Sequence, residues 1–204
     1  MDSGLPAALI EAISVLKNAS QQPWDADEDM PESSVWASPL GQLIETYRTV
    51  EGEQAFKPVL WLAFYAARRA LPCWSLYCDT HEPQSMIAAL ERLLKLGTVP
   101  EWSDFSCEPT PSFRDAPIVD CRECDTSCAA HAAYQSILFA KTKAFRHAVY
   151  AISAADSAFD QSPLGKADHF RKWLVDYAVP ISYARREMSP LEQNALRDHE
   201  ARSS

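Results

Sequence analysis

Glycine is scarce, with 5 residues in a chain of 204. Sheet-rich folds built on tight turns spend more glycine than this, so the shortage points away from β-structure. Long apolar runs are missing too. The longest, Pro58 to Ala67, ends at Arg68 and Arg69. It falls well short of the roughly 18 residues that a membrane span needs. The N-terminus opens with Asp2 and soon carries Glu11, and it lacks a basic region followed by an apolar stretch. That is not how a secretory leader reads, so a cytoplasmic location is expected, with the six cysteines reduced. Catalytic signatures are also missing. There is no Gly-x-Ser-x-Gly elbow, no phosphate-cradling glycine loop and no His-Glu-x-x-His. His81, His147, His169 and His199 are scattered, each better read as a surface or satisfied histidine than as a general base. No catalytic residue is assigned, and the reading is not an enzyme.

What the chain does have is apolar content, at 47%, and 14 prolines that fall mostly between apolar segments. Burial on this scale can offset the ordering entropy, and proline in these places punctuates helices. Helical spacing recurs at Leu9, Ile10, Ile13 and Leu16, and at Leu40, Leu43, Ile44 and Tyr47 behind Ser38-Pro39. Val59 to Tyr65 is apolar nearly all round, which places a third helix at the centre of a bundle, with Leu71-Pro72 breaking or kinking it. A fourth helix starts at Pro83 and is capped by Gly97. A long Ala-rich helix is expected from about Thr126 to Ala158, a sixth around Phe170 to Tyr177, and a polar last one from Ser189-Pro190. The predicted fold is all-α: one domain over residues 1–204, a bundle of about six to seven helices. It carries an acidic loop at 21–34 and a long Cys-containing loop at 98–125.

The net charge is −9, and it is uneven. Residues 1–60 hold ten acids against three bases. Phosphate contacts need clustered Lys and Arg, so no nucleic-acid partner is expected, and no membrane either. The balance suits a basic protein partner, or simply keeps the chain dispersed. Asp25, Asp27, Glu28, Asp29 and Glu32 concentrate the charge. They read either as a solvated linker or as a docking element that steers a basic surface into contact. Trp24 and Trp36 flank the stretch, as core residues or as an anchor for that contact.

The sharpest local signal is Cys121-x2-Cys124-x3-Cys128-x2-His131. With Asp125 or Thr126 as N-cap, Cys128 and His131 fall one turn apart on the first turns of a helix, while Cys121 and Cys124 come from the loop before it. Four such ligands suit one structural zinc, with Cys107 as a substitute. Unligated thiols in a surface loop, or a redox or iron–sulfur role, are the other readings. Cys73 and Cys78, beside Trp74 and Tyr77, read as buried free cysteines.

Three short motifs occur in order: Arg69-Ala70-Leu71-Pro72-Cys73-Trp74; Glu82-Pro83 with Ile87-Ala88-Ala89-Leu90-Glu91; and Ala129-Ala130-His131-Ala132-Ala133-Tyr134. Over about residues 60–155 the chain resembles the all-helical immunity proteins encoded beside bacterial polymorphic toxins. The resemblance implies a cognate protein toxin as partner, neutralised by occlusion, and it carries over no catalytic residue. The alternative, from the cysteines and histidine alone, is a zinc-stabilised helical regulator or adaptor.

Overall fold

The computed structural model describes residues 4–19, 31–75, 82–100, 121–160, 167–185 and 187–194. Every regular element among them is helical, and none is a strand. The order is α1 (Ala7–Asn18), α2 (Glu32–Ala37), α3 (Pro39–Glu51), a 3-10 turn (Gly52–Ala55), α4 (Phe56–Ser75) and α5 (Glu82–Leu96). There follow α6 (Cys121–Thr142), α7 (Arg146–Asp160), α8 (Ala167–Trp173), a π-turn (Leu174–Ala178), α9 (Val179–Tyr183) and α10 (Pro190–Asn194). No helix of the described residues is long and apolar enough to cross a membrane.

The centre is the packing of α4, α6 and α7 on one another. Val59 through Ala67 are all buried on α4, as an all-round apolar helix requires. Ala129, Ala130, Ala132 and Ala133 are buried on α6, and such small side chains let helix backbones approach closely. Ser136 on α6 is buried and satisfied: its hydroxyl donates to the Ala132 carbonyl at 2.8 Å. Around this centre α1 packs on α3, α3 on α7, α5 on α4 and α6, and α8 on α7.

Local chemistry sets most boundaries. Ser38 caps α3 by accepting from the Gly41 N–H at 3.0 Å, with Pro39 at the first position. Gly97 takes φ +69 and closes α5, its N–H donating to the Leu93 carbonyl at 3.0 Å. Ser189 and Glu192 form a reciprocal box at the start of α10. The Ser189 N–H and hydroxyl donate to the Glu192 carboxylate at 2.9 and 2.8 Å, and the Glu192 N–H reaches back to the hydroxyl at 3.3 Å. Proline at 180 has no N–H to give to the carbonyl four residues back. The π-turn just before it widens the ladder at that point, and the Val179 N–H bonds to the Leu174 carbonyl.

Three boundaries differ from the sequence expectation. The helix begun at Phe56 runs through Pro72 to Ser75 instead of ending before it. The Ala-rich helix is two helices, because Lys143 turns left-handed at φ +58 and the chain reverses into α7. It also starts at Cys121, not at Asp125 or Thr126. The expected Cys-containing loop therefore loses its last five residues to α6, and the expected acidic loop loses Glu32 to Ser34 to α2.

Candidate functional site

Of the acidic docking residues, Asp25, Asp27, Glu28 and Asp29 lie outside the described residues. Glu32 is exposed in the first turn of α2, where a carboxylate complements the helix dipole. One turn on, Trp36 is half-buried and packs against the core, with the Arg48 guanidinium 5.8 Å from its ring. The Arg48 guanidinium also lies 5.3 Å from the Phe145 ring. The tie between α2 and α3 is close: a Cβ on Gly41 would lie 2.1 Å from the Val35 carbonyl oxygen. Glu32 is thus presented on a short helix seated closely against α3.

The Cys–His stripe has a different geometry from the expected one. Cys121, Cys124, Cys128 and His131 all belong to one continuous helix, with the side chains of the first two outside the description. Ten residues of α-helix advance about 15 Å, whereas zinc–ligand bonds are about 2.0–2.3 Å. A single tetrahedral ion would therefore take a neighbouring pair of these positions, with its remaining ligands from elsewhere in the chain. No group of three or more His, Cys, Asp or Glu able to hold a metal occurs among the described residues. Cys107, the substitute ligand, also lies outside them. Cys128 is in no disulfide among the described residues, and its side chain is half-buried and packed against the core.

His131 has a more definite environment. The side chain of Gln135, fully buried on α6, bridges it to His147 on α7. The Gln135 amide nitrogen lies 3.2 Å from His131 Nε2, and the amide oxygen 2.8 Å from His147 Nδ1. An amide nitrogen only donates and an amide oxygen only accepts. His131 Nε2 is therefore the bare nitrogen, and His147 Nδ1 carries a proton. With Nε2 accepting from Gln135, a neutral His131 carries its proton on Nδ1, so holding a metal would first require this bridge to break. The bridge crosses the α6–α7 interface between rings flanked by Tyr134 and Tyr150. From sequence His131 groups with the cysteines and His147 stands alone, with no role for Gln135; the spacing of 135 and 147 shows nothing until the chain reverses at Lys143.

Two further buried polar groups were not legible as pairs. Asp156 on α7 accepts from Arg171 on α8, through Nε at 2.9 and 3.1 Å and Nη2 at 2.7 Å. Burial works against the Arg171 charge, but the Asp156 hydrogen bonds and the charges of Asp156, Asp168 and Asp160 outweigh it and raise its pKa. Arg69 is 2% exposed on α4, with its guanidinium 4.4 Å from the Trp173 ring and its Nη1 donating to the Gln193 carbonyl at 2.6 Å. The Trp173 indole donates to the Glu192 carbonyl at 2.9 Å, and the Met188 N–H to the Tyr65 hydroxyl at 3.1 Å. These bonds fasten the 187–194 segment to the body; each is a structural use of a group that could serve chemistry elsewhere.

No protein family, no curated protein and no solved structure matches this chain.

Proposed function

We propose that this protein is an immunity protein: it binds a toxin made by the same cell and neutralises it by covering the toxin's working surface. The observation that carries the reading is the order of the three short motifs along three of the described helices. Leu71-Pro72-Cys73-Trp74 lies in the last turns of α4, Pro83 in the first turn of α5, and Ala129 to Tyr134 in α6 against the bundle centre. The charge balance supports it. Ten acids against three bases in residues 1–60 suit a basic partner, such as a toxin surface that handles phosphate. A rigid helical body supports it as well, because little ordering entropy is then lost on association.

The test is co-expression with the product of the neighbouring gene. The expected outcome is that this product arrests growth alone, that growth returns when both are made, and that the two copurify. A neighbouring product that is harmless, or equally toxic with no complex formed, ends the reading and leaves the zinc-stabilised adaptor in its place.

A further inference from the structure

The 187–194 segment meets the body mainly through its backbone. The Met188 N–H donates to the Tyr65 hydroxyl at 3.1 Å. The Glu192 carbonyl accepts from the Trp173 indole at 2.9 Å, and the Gln193 carbonyl from Arg69 Nη1 at 2.6 Å. Among the segment's described side chains Met188 alone is buried, while Leu191 is 85% exposed. Glu187 adds a surface ion pair with Lys95. The Ser189–Glu192 box orders the first turn of α10 from within. The segment is thus a preformed piece resting on a seat that α4 and α8 provide.

The join between this piece and the body is short and strained. Tyr47 Oη lies 2.9 Å from Ser182 Oγ in the core, so the body holds the chain as far as that residue. Four residues separate Ser182 from Glu187. Among them Arg185 turns left-handed at φ +52, a conformation that a Cβ makes costly and that glycine adopts freely. An ion pair with Glu51 holds its side chain in place. The strained turn directs the segment onto the seat of its own chain. Short hinges under strain are where identical elements change places between copies.

We propose that the 187–194 segment exchanges between two copies of this chain, each copy's Met188 and α10 taking the seat of Tyr65, Arg69 and Trp173 on the other. The occupant follows from the segment itself. The same residues meet the same donors whichever chain they come from, so the exchanged dimer keeps every bond to the seat. It also frees Arg185 from the left-handed turn in both copies. What opposes it is the entropy of association, so the dimer belongs to concentrated protein. The proposal does not rest on the immunity reading.

The experiment sizes the full chain by light scattering behind size-exclusion chromatography, after incubation at rising protein concentration. High salt is used, because it screens the Lys95–Glu187 and Glu51–Arg185 pairs that hold the closed form. The wild-type chain should pass from monomer to dimer. Arg185→Gly removes the strain from the closed form, and two hinges open for each dimer. The variant should therefore lower the association constant by about tenfold or more. A wild-type chain that stays monomeric at the highest concentration overturns the proposal. A dimer that Arg185→Gly leaves at the wild-type level overturns it too, because two copies joined by any other surface would not feel this hinge.

Discussion

Tyr47 holds its phenol in the interior, where the hydroxyl donates to the Val179 carbonyl at 3.0 Å and lies 2.9 Å from Ser182 Oγ. Burial raises its pKa above the ordinary tyrosine value, only partly countered by the Ser182 contact. The sign follows directly. The folded state keeps the proton while the unfolded state loses it above about pH 10, so stability present below that pH is lost as pH rises beyond it. Tyr47→Phe should cost about 1 kcal/mol at neutral pH for the lost hydrogen bonding. It should also flatten the fall in thermal midpoint between about pH 10 and 11.5; an unchanged alkaline slope would show that Tyr47 is not its source. The Asp156–Arg171 pair makes a different demand. Asp156→Ala removes the carboxylate that accepts three hydrogen bonds from Arg171, a residue 7% exposed, and a loss of about 3–5 kcal/mol in urea unfolding is expected. Replacing both, as Asp156→Leu with Arg171→Met, should recover most of it, since the pair replaces solvation rather than adding to it. If the double variant is as weak as the single one, the cost comes from packing and not from charge. Neither pair was legible in the sequence: Tyr47 looked like one more apolar-face position, and 156 and 171 meet only after the chain turns between α7 and α8.

The helices that carry their own signals were the legible ones. Ser38-Pro39, Gly97 and Ser189-Pro190 mark their boundaries by chemistry that acts within a few residues, and the apolar run at 59–65 announces a central helix. The failures have local reasons as well. Leu71-Pro72 is expected to break or kink the helix; it does not break it, for α4 continues three residues past Pro72, and Cys73 and Trp74 beyond are buried, so packing outweighs the lost hydrogen bond. The reversal at Lys143 bears neither Gly nor Pro, so periodicity on both sides read as one helix. The close approach of α2 to α3 was hidden in a single glycine. Gly41→Ala would drive its Cβ into the Val35 carbonyl. A loss of about 1–3 kcal/mol in thermal or urea unfolding is expected, with α2 displaced and Glu32 moved with it; a fully stable Gly41→Ala would mean that α2 is not seated on α3. The α6 stripe has its own test. If a pair from Cys121, Cys124, Cys128 and His131 holds zinc with ligands from elsewhere, purified protein should contain about one equivalent by elemental analysis, and chelation should loosen the start of α6. Metal-free protein with all six thiols titratable would rule that out.

At the scale of the whole molecule, charge is the property that sequence states most directly and structure redistributes. The chain is acidic overall, yet its α6–α7 turn carries Lys141, Lys143 and Arg146 with no acid between Thr126 and Ala155. Electrostatic steering acts before contact and depends on the field, not on the fine geometry of the rim. Fields of this kind decay over about 8 Å at physiological salt. If the partner is the proposed basic toxin, association should therefore be fast at low ionic strength and slow as salt rises. Neutralising the acidic stretch, as Asp25→Asn, Asp27→Asn, Glu28→Gln, Asp29→Asn and Glu32→Gln together, removes five charges without removing an apolar group. The expected result in stopped-flow binding is an association rate lowered about tenfold at low salt, a much shallower salt dependence, and a dissociation rate changed little. Circular dichroism should be unaltered, because Glu32, the one of the five that the structure describes, is exposed and contributes nothing to the core. Were the dissociation rate to rise instead, with association untouched, these acids would be contact residues inside the interface rather than a steering field. Were neither rate to move, the stretch would be a solvated linker and the partner would dock elsewhere on the bundle.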